Sequence, residues 1–446
     1  MLVGLITLPE RISFVKLKPM PFVGVVAAAL TFGVMSATPS QAASDFYTPP
    51  SSLPSANGAL IKTESMKLAV PVLISGSKIT LPGKGTRIMY KSTDEMGQPV
   101  AVTGTYIEPT VKWTGKGDRP LVSLSAGTQG QGDACAPSKT LGNLVNFEEG
   151  DMGIGYEIPS IYQFLAKGVA VVVTDYVGLG TTDRVHTYTN RLDMAHAVLD
   201  AARAAKKVSG TSVTSKSAIG LYGYSQGGGA SGAAVELAPS YAPDLNIKGA
   251  FVGAPPANLY EVMKSADGTM LTGVIGYAIN GIFGYRPALK PQLEALMNTK
   301  GKELLEAAKT TCIPGLILKS AFAKTSQWTN SGKVASEEVK NYPQLLAAVD
   351  AQRSGRRRPT VPVMVLSGTQ DDIVDHKQVR QLAKDWCGKL SNVTYKPVIQ
   401  LLPTGGTSLN HILPMVTEMG STNAWLVDRL NGKSVVSNCI ALPLMP

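Results

Sequence analysis

Continuous runs of Val, Ile and Leu, each closing near glycine or proline, alternate along this chain with segments of helical period. "RPLVSLSAG" (Arg119–Gly127), "GVAVVVTDYVGLG" (Gly168–Gly180), "SAIGLYGY" (Ser217–Tyr224), "NIKGAFVGAPP" (Asn246–Pro256), "VPVMVLSG" (Val361–Gly368) and "VTYKPVIQLL" (Val393–Leu402) read as strands. "RLDMAHAVLDAARAAKKV" (Arg191–Val208) and "QGGGASGAAVELA" (Gln226–Ala238) read as helices between them. Strands that are apolar on both faces need cover on both faces. The pattern therefore predicts an α/β fold with a mostly parallel sheet between two helical layers. Ahead of it, "GTRIMYKSTDEMGQPVAVTGTYIEP" (Gly85–Pro109) alternates around a polar glycine turn and predicts a hairpin. "FYTPPSSLPSANG" (Phe46–Gly58) reads as an extended surface arm.

The rhythm stops between residues 257 and 358, a stretch rich in Met, Leu, Ala and Lys that reads as several helices. The expected organisation is a core in two parts, 43–256 and 359–446, with a helical cap inserted at 257–358. Residues 1–42 have the layout of an export signal. Arg11, Lys16 and Lys18 precede the apolar run Pro21–Ala37, and small residues stand before a cut after Ala42. A secreted or periplasmic product is expected.

Gly223-Tyr224-Ser225-Gln226-Gly227 fits G-x-S-x-G, with a strand before it and a helix after it. A serine on a sharp strand-to-helix turn is presented for nucleophilic attack, provided that the flanking positions lack side chains. The helix N-terminus and the Gln226 amide then face a developing oxyanion. A serine hydroxyl needs a base. Of His186, His196, His376 and His411, only His411 follows the last strand and stands before the last helix. A carboxylate is expected after the strand that ends at Gly368, where "GTQDDIVDH" offers Asp371, Asp372 and Asp375. Asp371 has the reach, and Asp372 is its rival. The loop "SLSAGTQGQGDACAPS" (Ser123–Ser138) is expected to give the second oxyanion amide, from Thr128, Gln129 or Gly130.

With 44% hydrophobic and 17% charged residues, the chain can bury a large core and is not of disordered type. Its formal charge is +10, about +8 after cleavage near residue 42. The basic residues are scattered, and the one dense run, "RSGRRRP" (Arg353–Pro359), lacks interleaved aromatics. A nucleic-acid partner is therefore not expected. Cys135, Cys312, Cys387 and Cys439 are too widely spaced for a CxxC-type metal site. In an exported chain they imply two disulfides, with three connectivities open.

"FYTPP", "STDEMGQPVAVTG", "GTQGQGDACAPS", "DYVGLGTTDRVHTY", "GYSQGG" and "GTQDDIV" with a late histidine resemble the secretory lipase family along essentially the whole mature chain. The resemblance implies an α/β-hydrolase fold with a large helical cap, acting on lipids and other carboxylic esters without metal or cofactor. It maps the catalytic residues onto Ser225, Asp371 and His411, and the oxyanion donor near Gln129. It suggests a Cys135–Cys312 disulfide, which leaves Cys387 with Cys439. Where the family usually has proline after "IV", this chain has Asp375. The expected activity is that of a serine ester hydrolase whose partner is a lipid or small ester, with transient contact to a lipid surface. An acyltransferase using the same triad and an inactive binding protein of the same fold are the alternatives. Peptidase action is disfavoured, because no propeller-like repeat is present. In the cap, "TGVIGYAINGIFGY" (Thr272–Tyr285) is either the cap's own core or an acyl channel formed by Ile275, Ile279, Ile282 or Phe283.

Overall fold

Residues 45–69, 82–148, 150–401 and 405–446 are described by the structure, a computed structural model. The proposed export signal lies outside them. The strands are β1 (Leu60–Met66), β2 (Gly83–Thr93), β3 (Pro99–Pro109), β4 (Leu121–Ser125), β5 (Val145–Glu148), β6 (Asp151–Ile154), β7 (Ala170–Thr174), β8 (Ile219–Tyr224), β9 (Ile247–Gly253), β10 (Val363–Gly368) and β11 (Val393–Val398). Nine of them form one sheet in the order β1-β2-β3-β7-β4-β8-β9-β10-β11. Pairing is antiparallel from β1 to β7 and parallel from β7 to β11. β4, β7, β8 and β10 are buried at every position, which is why they read as unbroken apolar runs.

Each face of the sheet is covered by helices. Arg191–Ala205, Gln226–Tyr241 and His376–Gly388 supply Met194, Val198, Ala230, Ala234, Leu382 and Trp386 to one core. Ile158–Ala166 and Leu409–Leu430 supply Ile161, Phe164, Leu426 and Leu430 to the other. Between β9 and β10 the chain is helical, with an apolar cluster of its own around Tyr277, Leu305, Leu316, Trp328 and Leu345. Among the described residues, no helix is long and apolar enough to cross a membrane.

Three features depart from the sequence reading. The arm does not simply lie on the surface. Phe46 and Tyr47 are buried against Met89 and Ala101, and the Tyr47 hydroxyl lies 3.0 Å from Ser138 Oγ. Aromatic area of this size is worth more buried than hydrated, so the head of a proline-rich segment becomes its anchor. β1, "LIKTESM", has a mostly half-exposed and polar pattern and escapes detection as an apolar run. β11 stops at Val398, short of the Leu402 expected. Both disulfides are present: Cys135–Cys312, with Cα atoms 5.3 Å apart, and Cys387–Cys439, at 5.6 Å.

Candidate active site

Ser225 sits between β8 and the helix Gln226–Tyr241 with φ 57° and ψ −125°, a backbone region that costs a non-glycine residue on the order of 1–3 kcal/mol. The turn is held from both sides. The Ser225 amide donates to Gly253 O at 2.9 Å, and its carbonyl accepts from Gly229 N at 3.0 Å. The surrounding glycines are required by space. A Cβ on Gly223 would overlap the Gly227 carbonyl, one on Gly227 the Ser125 carbonyl, and one on Gly228 the Gly253 carbonyl. All three obstacles are backbone, which cannot swing aside. Gly227→Ala is therefore expected to destabilise the fold by about 3–5 kcal/mol, read as a lowered midpoint in denaturant titration. An unchanged midpoint would show that the helix can back away from β4.

His411 lies in the first turn of Leu409–Leu430, after β11. Its Nε2 is 2.9 Å from Ser225 Oγ, and its Nδ1 is 2.8 Å from Asp371 Oδ2 and 3.1 Å from Oδ1. Asp371 follows β10, and its Oδ1 also accepts the amides of Ile373 and Val374, both at 2.9 Å. A carboxylate fixed in this way accepts from Nδ1–H and leaves Nε2 free to accept the serine proton. The Tyr224 hydroxyl donates to the His411 carbonyl at 2.7 Å and fixes the start of the helix. Burial works against the imidazolium. The Asp371 charge, its hydrogen bond and the more distant Asp372 outweigh burial and raise the His411 pKa above its ordinary value.

The rival carboxylates have other partners. Asp372 Oδ2 accepts the Ser408 amide at 3.0 Å, holding the turn that leads into His411. Asp375, where the family usually has proline, caps the helix His376–Gly388 by accepting from Lys377 N at 2.7 Å. Of the other histidines, His196 bonds Thr93 O, and His376 bonds Ser367 Oγ and the Tyr395 hydroxyl.

His186 is nearer to the site than its sequence context suggested. Its Nδ1–H donates to Val177 O at 2.9 Å, so Nε2 is the acceptor for the Gln226 side-chain amide at 3.0 Å. Burial lowers its pKa to about 4, which keeps the ring neutral and able to accept. Gln226 thus turns its side chain away from Ser225. Its backbone N–H, first in the helix, has no acceptor within that helix.

The loop after β4 is paired to the helical region. Gln129 is buried, its carbonyl accepting from Ile313 N at 2.8 Å, while Gly130 bridges Cys312 and the Gln131 amide reaches Thr311 O at 3.2 Å. A narrow apolar pocket opens on Ser225, Gln226 and Thr128 and runs between Leu271, Ile275, Ile279 and Ile282. Gln129 lies beside it and does not line it. A second narrow apolar pocket shares Ile275, Ile279 and Ile282 and continues to Leu296, Trp328 and Leu345. Phe283 lines neither and packs against the helical cluster.

A strained serine between strand and helix, an aspartate after one later strand and a histidine after the next, on a mostly parallel sheet, define an α/β-hydrolase fold. The chain belongs to the secretory lipase family, whose profile matches residues 147–438. Over 401 residues it is 27% identical to a probable inactive lipase of Mycobacterium tuberculosis, spanning 88% of this chain and 83% of that protein. Over 417 residues it is 26% identical to lipase 5 of Candida albicans, spanning 90% and 83%. Its fold is similar to that of Candida antarctica lipase A in its closed state, with a TM-score of 0.70 and 22% identity over 88% of this chain and 87% of that one. The family and its relatives make the chain a lipase-type hydrolase by descent.

Proposed function

We propose that this protein is an exported serine ester hydrolase that cleaves lipid or other acyl esters through an acyl-enzyme. The observation that carries this reading is the unbroken chain Asp371–His411–Ser225 at the mouth of an apolar cavity. His411 Nε2 takes the Ser225 proton as Oγ attacks the ester carbonyl, and Asp371 stabilises the imidazolium that forms. The Gln226 amide and an amide of the Thr128–Gly130 loop hold the tetrahedral oxyanion, with Gln129 the donor that the family resemblance favours. The imidazolium then protonates the leaving alcohol, and water activated by the same histidine releases the acid. One relative bears the name of an inactive lipase, whereas here serine, histidine and aspartate are all present and hydrogen-bonded, which supports activity. Two disulfides in the chain agree with export to an oxidising compartment.

The acyl chain is proposed to lie along Ile275, Ile279 and Ile282, where each buried methylene contributes about 0.8 kcal/mol. Ile279→Trp fills the passage shared by the two cavities. On p-nitrophenyl esters of graded length it is expected to cut kcat/KM on the dodecanoate at least about tenfold and to leave the butyrate within about threefold. An equal loss at every length would refute the channel and assign these residues to packing alone.

A further inference from the structure

Beneath the loop that follows β4, two consecutive side chains grip two consecutive loop residues. Glu157, which precedes the helix Ile158–Ala166, is buried, and its Oε1 accepts the Gly127 amide at 2.8 Å. Tyr156 donates its hydroxyl to the Thr128 carbonyl at 2.8 Å. From the opposite side, the Tyr188 hydroxyl lies 2.7 Å from Thr128 Oγ1. The fit leaves no slack. A Cβ on Gly127 would stand 2.7 Å from Tyr156 Oη and 3.4 Å from the Tyr224 carbonyl, which directly precedes Ser225.

We propose that Tyr156 and Glu157 are positioning residues that set the height of the Thr128–Gly130 amides above Ser225, with Glu157 acting as the carboxylate. This inference rests on the hydrolase reading above, in which that loop supplies an oxyanion donor. A carboxylate accepts a backbone N–H more strongly than a neutral carboxyl does. A protonated Glu157 must also find an acceptor for its own hydrogen inside the protein. The groups whose ionisation is coupled to it are all phenols: Tyr156 beside it, Tyr176 after β7 and Tyr222 on β8. Burial pushes the Glu157 carboxyl up to about 7, and the Gly127 amide offsets part of that rise. The loop therefore loses its charged anchor as pH falls through neutrality, in the range where His411 also gains a proton.

The test is the acid limb of kcat/KM on p-nitrophenyl butyrate, read over the range in which far-UV circular dichroism stays native. Two protons, one on His411 and one on Glu157, each stop turnover, so the limiting slope of log kcat/KM against pH is expected to approach two. In Glu157→Gln, which keeps an acceptor for Gly127 but carries no charge, the slope is expected to fall to about one. That variant, uncharged at every pH, is also expected to lose at least about a hundredfold in kcat, with KM within about twofold. Glu157→Asp should bring back the steeper limb. A wild-type slope of one, or a slope of two that persists in Glu157→Gln, overturns the proposal. Labelling of wild-type Ser225 by a fluorophosphonate separates the two readings. With labelling intact and a slope of one, only the anchor fails. Without labelling, the hydrolase reading fails first.

Discussion

Ser225→Ala is expected to fold as the wild type does and to retain roughly a millionth of its kcat on p-nitrophenyl butyrate, a loss of about 8 kcal/mol in transition-state stabilisation. Only the nucleophilic oxygen is removed. The turn that carries residue 225 is set by the Gly253 and Gly229 backbone bonds, which alanine retains. Alanine also bears the same positive-φ strain as serine, so the thermal midpoint is expected to stay within about 2 °C. Fluorophosphonate labelling should disappear together with activity. If more than a few per cent of turnover survives with the fold intact, another nucleophile does the chemistry and the proposed function is wrong.

Asp371→Asn is expected to lower kcat by about ten-thousandfold while Asp372→Asn costs less than about tenfold. An amide at position 371 can donate to Nδ1 and so favours the tautomer whose Nε2 carries the proton, and that tautomer cannot accept from Ser225. Asp372 instead holds Ser408, and an asparagine there can still accept from its amide. The pH profile adds a second reading. Asp371 raises the His411 pKa against the pull of burial, and only the neutral ring can act as base. In the wild type, activity should fall with decreasing pH from a point above the ordinary histidine range. In Asp371→Asn the His411 step should move to lower pH and leave the Glu157 step alone on the acid limb near neutrality. Equal losses in the two variants would move the carboxylate to Asp372.

What the sequence makes legible follows from how local each determinant is. Ser225 is legible because its constraint is written in neighbours: Gly223, Gly227 and Gly228 are the residues whose Cβ would meet backbone. His411 and Asp371 are legible through the order of strands, since each follows one of the last two. Asp371 is favoured over Asp372 by its spacing of three residues from the strand-end Gly368, whereas the amides of Ile373 and Val374 that hold its carboxylate are backbone groups and leave no mark in the sequence. Longer-range matters are not legible. Nothing near His186 shows that it receives the Gln226 side chain, and nothing near Glu157 shows that it meets Gly127, 30 positions away. β1 is missed because an edge strand with a wet face has no apolar signature. The buried head of the arm is missed because proline and serine dominate its composition while two aromatics decide its placement.

The pairing of residues 129–131 with 311–313, closed by a disulfide that spans 177 positions, bears on how such an enzyme can diversify. Where a helical insertion merely roofs a site, it can be exchanged for another and the chain-length preference retuned with the chemistry untouched. Here the helical segment between β9 and β10 contributes one edge of the loop proposed to stabilise the oxyanion. A swapped or deleted insertion would take that brace with it, and a trimmed core would not be a smaller, more permissive esterase but one with a slack oxyanion loop. If that loop is the oxyanion donor, specificity and rate are tied together in this chain. Variation that keeps both must enter through the interior faces of the helices rather than through their replacement.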